Sequence, residues 1–136
     1  PNYRHIIELA QRYRQVRFVL NHFGLPKGAG IAPEDVASGG LDEARLLDNL
    51  FVKVSAYYSV ADTPWDHRCP TALAYLYRLR DLLGAERLMF GSDWPPAGRQ
   101  LTYRQIVEIV RTEATELTEA EKAAILGETA ARVYGI

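Results

Sequence analysis

Apolar and polar positions along the chain recur as one unit: a short, continuously apolar run, a polar loop, then a stretch with helical spacing. Residues 2–15 read as a helix, with Ile6, Ile7, Leu9, Ala10 and Tyr13 near a 3.6-residue period and Arg4, Glu8, Arg12 and Arg14 largely on other faces. Val16-Arg17-Phe18-Val19-Leu20 is a predicted strand, broken at Asn21-His22-Phe23-Gly24-Leu25-Pro26, and residues 27–40 are loop-rich. Residues 41–50 read as a short helix, Leu50-Phe51-Val52-Lys53-Val54-Ser55 as a second strand, and 56–70 as a polar, aromatic, irregular tract. The clearest helix covers 71–83, where Leu73, Leu76, Leu79 and Leu83 interleave with charged positions and Gly84 supplies a stop. Arg87-Leu88-Met89-Phe90-Gly91 is the third strand and runs into Ser92-Asp93-Trp94-Pro95-Pro96. A helix over 102–112 opens at Thr102, and Thr118-Glu119-Ala120-Glu121 has the form of a capping box for a last helix through Ala131.

Short apolar strands alternating with helices predict an α/β fold: a parallel sheet with flanking helices. Successive strands lie roughly 35 residues apart, enough for a crossover helix. Parallel strands joined this way bring their C-terminal ends to one edge, where α/β folds bind ligands.

Composition narrows the function classes. The 136 residues suit one domain, 1–136, with 48% hydrophobic and 24% charged side chains, as in an ordinary globular chain. Sixteen basic against seventeen acidic side chains give a net charge of −1, with no basic surplus for nucleic acid or an anionic membrane. One cysteine excludes an internal disulfide framework and a cysteine-built zinc site, and fits a reducing, cytoplasmic compartment. No apolar run nears the roughly 18 residues that cross a bilayer. The expected partner is a small-molecule substrate, with a homo-oligomer left open. The start at Pro1, directly into helical sequence, leads us to expect a further part upstream.

Each predicted strand ends in polar groups: Asn21 and His22, Lys53 and Ser55, Ser92 and Asp93. On a parallel sheet these converge on one rim. A histidine there can bond a carbonyl or ligate a metal, and an aspartate can serve as general base or metal ligand. Together they suit hydrolytic chemistry. Each also has a structural reading: His22 bonding backbone at a strand end, Asp93 as a turn or N-cap residue, Lys53 in a carboxylate pair or reaching solvent by its stem. Tyr57, Tyr58, Trp65 and Trp94 read equally as pocket lining or core. His67 and Cys69 form a weak His-x-Cys pair, and His5 reads as a surface residue.

Three segments together are recognisable. Phe18 to Pro26 resembles the Asp-His-x-Gly-x-Pro strand end of the amidohydrolase-2 family. Phe51 to Ser55 resembles its Lys-Leu-Ser strand, and Arg87 to Pro95 its Gly-Ser-Asp-Trp-Pro strand, the most specific of the three. The tail from Ala123 to Tyr134 is similar to the family's closing helix, and the segments occur in family order over nearly the whole chain. The resemblance implies the C-terminal part, about the last three βα units, of a (β/α)₈ TIM barrel, which as a whole needs about 250 residues. It implies a lactonase-like hydrolase in which Asp93 takes the water's proton and His22 contacts the substrate carbonyl. In metal-dependent members both would bind one divalent metal such as zinc; other members work without one. Tyr57 and Trp94 are the expected substrate-binding residues. This sequence departs from the family pattern at Asn21, at Ala56 in place of a common glycine, and at Leu25 and Ser59, where dicarboxylate lactonases carry the arginines of a carboxylate clamp. The rival readings are a metal-dependent decarboxylase of the same family and an inactive fragment or binding module.

Overall fold

Three short parallel strands organise the molecule: β1 (Phe18–Leu20), β2 (Leu50–Val54) and β3 (Leu88–Phe90). They lie side by side in chain order, with Val19 opposite Phe51 and Lys53 opposite Met89. The computed structural model describes residues 2–25, 31–37, 39–61 and 66–136. Around the sheet run α1 (Arg4–Arg12), α2 (Pro70–Leu83), α3 (Tyr103–Glu108), α4 (Glu119–Ala123) and α5 (Thr129–Tyr134). The parallel sheet with flanking helices is therefore the predicted one. No helix among the described residues is long and apolar enough to cross a membrane.

Apart from Lys53 the strands are apolar, because both faces are covered. Leu50, Val52, Val54 and Leu88 point into the main core, shared with Leu73, Leu76 and Leu79 of α2. On the other face Phe51 and Met89 pack with Val133 of α5, flanked by Val19 and Ala130. Lys53, on the same face nearer the strand end, is the one charged residue in β2. Its stem lies against Gly91, where a Cβ would come within 2.8 Å of Lys53 Cδ.

The helical segments differ from the sequence reading in three ways. The first helix stops at Arg12 because the buried Asn49 side chain takes the carbonyls of Ala10 (3.0 Å), Tyr13 (3.2 Å) and Val16 (2.9 Å). The segment expected to be helical over 41–50 makes only a 3₁₀ turn, Leu41–Leu46, before the chain enters β2. The helices opening at Thr102 and Thr118 start on true capping boxes, with Gln105 and Glu121 as reciprocal partners. Both then widen into π turns, Ile109–Glu113 and Ala124–Glu128, which the apolar spacing did not signal.

Candidate active site

Since the strands are parallel, β1, β2 and β3 deliver His22, Ser55 and Asp93 to the same edge. The chain leaves every strand through a left-handed residue: His22 (φ 53°) and Phe23 (φ 59°) after β1, Ala56 (φ 59°) after β2, Asp93 (φ 53°) after β3. None of these is glycine, and each such position costs on the order of 1–3 kcal/mol that the surroundings must offset. After β1 the anchor is Phe23, which is fully buried and edge-on to Tyr57 at 5.3 Å. After β3, Ala97 N–H donates to Asp93 O (3.0 Å) and closes the turn. Gly91 lets β3 end tight against β2, for a Cβ there would stand 2.8 Å from Ser55 Cβ.

The side chains then form a connected set. Ser55 Oγ lies 2.9 Å from His22 Nδ1 and accepts the His22 backbone N–H at 3.3 Å. The other ring nitrogen, Nε2, faces Asp93 Oδ1 across 3.8 Å. Asp93 Oδ2 accepts the Tyr58 hydroxyl at 2.7 Å. Asp93 is one-fifth exposed and His22 about half, at 20% and 47% of their side-chain surface, so the gap between them opens to solvent. The hydrogen bond to Asp93 pushes the Tyr58 phenol above its ordinary range, helped by burial and by the carboxylate's charge, while the Arg99 cation opposes this. One oxygen of Asp93 is thus held by Tyr58, and the other faces the imidazole. A water lodged between Oδ1 and Nε2 would meet a proton acceptor on one side and a polarising group on the other.

The structure brings His22 and Asp93 together, as expected. Trp94 lies at the same rim, 53% exposed, its ring over Gly98 and edge-on to Tyr103 at 6.2 Å. Tyr57 does not reach the rim. It is 1% exposed in the main core with a buried hydroxyl, and its neighbour Tyr58 is the tyrosine that faces Asp93. The left-handed Ala56 redirects the chain so that the first tyrosine after β2 turns inward and the second outward. Ser55, read from sequence as a strand residue, is the imidazole's partner. Lys53 has no ion pair among the described residues. The His67–Cys69 pair is not assembled: Cys69 is buried, its Sγ near His67 O (3.8 Å), and burial pushes the thiol up to about 11. His5 is an exposed partner of Glu8. Asn21 is exposed beside His22. Trp65 lies outside the described residues.

A catalytic zinc takes about three protein ligands, and two ligands on one tetrahedral ion stand roughly 3.4 Å apart. Here His22 and Asp93 supply two, 3.8 Å apart. Among the described residues no group of three or more His, Cys, Asp or Glu side chains is placed to hold a metal. The described residues therefore supply two of the donors a metal centre would need, and no chemical step below passes through one.

Comparison with known proteins adds an independent line. A family model described as amidohydrolase matches residues 1–136. An L-fucono-1,5-lactonase from Burkholderia multivorans is 32% identical over 127 residues, which is 87% of this chain and 43% of that protein. The crystal structure of an amidohydrolase from Burkholderia multivorans with bound zinc superposes with a TM-score of 0.77 at 29% identity, covering 96% of this chain and 48% of that one. A 5-carboxyvanillate decarboxylase from Sphingomonas paucimobilis shares the fold at 22% identity and a TM-score of 0.58, covering 94% of this chain and 36% of its own. The chain thus spans less than half the length of each of these relatives.

Proposed function

From the premise that the chain belongs to the amidohydrolase family and that its three βα units form part of a (β/α)₈ barrel, we propose that it carries the acid–base pair of a hydrolase opening a small cyclic ester. The observation that carries this reading is the meeting of His22 Nε2 and Asp93 Oδ1 across 3.8 Å at the C-terminal edge of a parallel sheet. Asp93 Oδ1 takes a proton from water, and the resulting hydroxide forms a bond to the lactone carbonyl carbon. His22 Nε2 bonds the carbonyl oxygen as negative charge develops on it. The ring C–O bond then breaks, and the leaving alkoxide recovers the proton from Asp93. Tyr58, by occupying Oδ2, keeps the carboxylate turned so that Oδ1 faces the water. Trp94 supplies an apolar wall beside the reacting carbon. The similarity to a sugar lactonase supports a sugar-acid lactone as substrate. The single cysteine, free and buried, supports a reducing, cytoplasmic setting.

The test uses the natural protein in which this chain occurs. Incubated with a panel of sugar-acid lactones, L-fucono-1,5-lactone among them, it is expected to release acid as the ring opens. Asp93→Asn is expected to lower kcat by on the order of 10²- to 10⁴-fold. Full activity in Asp93→Asn defeats the assignment. Evolution of carbon dioxide from an aromatic acid, with no lactone opened, would replace it with decarboxylation.

A further inference from the structure

We propose that Ser55 is a positioning residue that fixes His22 as the tautomer with its proton on Nε2, so that the imidazole meets its ligand as a hydrogen-bond donor and is closed to a metal at that nitrogen. The argument is a count of protons at Ser55 Oγ. A serine hydroxyl has one hydrogen to give and two lone pairs to receive. Oγ already receives the His22 backbone N–H at 3.3 Å and lies 2.9 Å from Nδ1. Two arrangements satisfy that second contact. If Nδ1 carries the proton, it donates to Oγ, and the hydroxyl hydrogen must find another acceptor. Ser55 is 1% exposed, so water is not at hand, and among the described residues Oγ has no partner besides His22. If Nδ1 is bare, it accepts the hydroxyl hydrogen and every group is paired. Buried donors are almost always paired, which selects the second arrangement. Nδ1 is then an acceptor and Nε2 bears the hydrogen.

The selected tautomer aims an N–H into the gap that Asp93 borders, where a developing oxyanion would sit. A metal at Nε2 needs the lone pair there, the opposite tautomer, and would leave the Ser55 hydroxyl hydrogen stranded in the core. The local geometry reinforces the lock. Because His22 is itself left-handed, its backbone N–H and its ring both reach the same Oγ, and Gly91 clears the space that lets Ser55 stand there. This proposal deepens the lactone reading only in what Nε2 meets; its test is read without substrate, so the two fail separately.

The experiment is ¹⁵N-resolved imidazole spectroscopy on the natural protein labelled at histidine, with His22→Gln identifying the signal. The expected spectrum has a protonated Nε2 and a bare, accepting Nδ1 for His22, undisturbed by one equivalent of zinc. Ser55→Ala is expected to mix the two tautomers and to lower kcat for lactone opening by on the order of 10- to 100-fold. A protonated Nδ1 in the unsubstituted protein overturns the proposal, as does zinc binding at Nε2. The unsubstituted spectrum decides the matter even if Ser55→Ala does not fold. A protein with the expected tautomer but no lactonase activity leaves this assignment standing and removes the lactone reading.

Discussion

Ala56 sits at φ 59° directly after β2, in the region that suits glycine, and its methyl group is buried. A left-handed alanine costs about 1–2 kcal/mol, and a glycine gives back about 0.5–1 kcal/mol of that through the freedom it adds to the unfolded chain. Ala56→Gly is therefore expected to leave stability unchanged or raise it by up to about 1 kcal/mol, measured by urea unfolding. Ala72→Gly, the same change inside helix α2, is the control and should cost about 1 kcal/mol. A loss at Ala56 as large as at Ala72 would show that the strain inferred from φ is absent. The same residue explains how much of the site was legible in sequence. His22 and Asp93 could be read as strand-end groups because strand ends follow from apolar runs. Tyr57 and Tyr58 could not be told apart, because a left-handed alanine leaves no mark in the pattern and it decides which ring faces Asp93. The bond from Ser55 to His22 was hidden for a related reason: it joins residues on different strands, and it depends on the sharp turn at His22.

Elements were legible where a local signal starts or stops them. The cap at Thr102 and the capping box at Thr118 are local signals and both formed, Thr102 as a full box with Gln105 where the sequence reading gives only a cap. The end of α1 is set from a distance by Asn49, the residue just before β2, so the helical period ran past it to residue 15 in the sequence reading. The amide of Asn49 donates to three carbonyls, of which Tyr13 O also receives the Val16 N–H at 2.9 Å, and its own Oδ1 is buried without a partner among the described residues. Asn49→Leu leaves Ala10 O and Val16 O without this donor, and the expected loss is about 1–3 kcal/mol. Hydrogen exchange should localise the effect, with the last turn of α1 and the 13–16 linker losing protection first. Unchanged protection there, with the stability loss spread evenly, would show that Asn49 acts by packing alone. The main chain of the same residue meets the start of β1, where Phe18 N–H donates to the Asn49 carbonyl at 2.8 Å in the register of β1 on β2.

At the scale of the whole molecule, the core is apolar but edged with tyrosine hydroxyls, and these are expected to set its alkaline limit. Tyr3 and Tyr57 are buried with hydroxyls that have no partner among the described residues. Burial pushes the Tyr3 phenol up to about 12, and it drives Tyr57 up further, with the Cys69 thiol adding to it. Tyr58 is raised as well, first by its bond to Asp93. In the unfolded chain these tyrosines ionise near about 10. A group whose folded-state pKa is raised contributes stability that is whole below its unfolded value and is lost as pH climbs through the folded one. The melting temperature is thus expected to begin falling near pH 10, with the Tyr3 share of the loss complete by about pH 12. Tyrosinate absorbance should rise in two stages, first from the exposed Tyr13, Tyr103 and Tyr134, then from the buried rings as the core opens. Tyr3→Phe removes one of these groups and gives up no hydrogen bond among the described residues, where the Tyr3 hydroxyl has no partner. It should leave stability near neutral pH unchanged and make the alkaline decline shallower. A variant that declines as steeply as the parent would remove Tyr3 from the groups that set the alkaline limit.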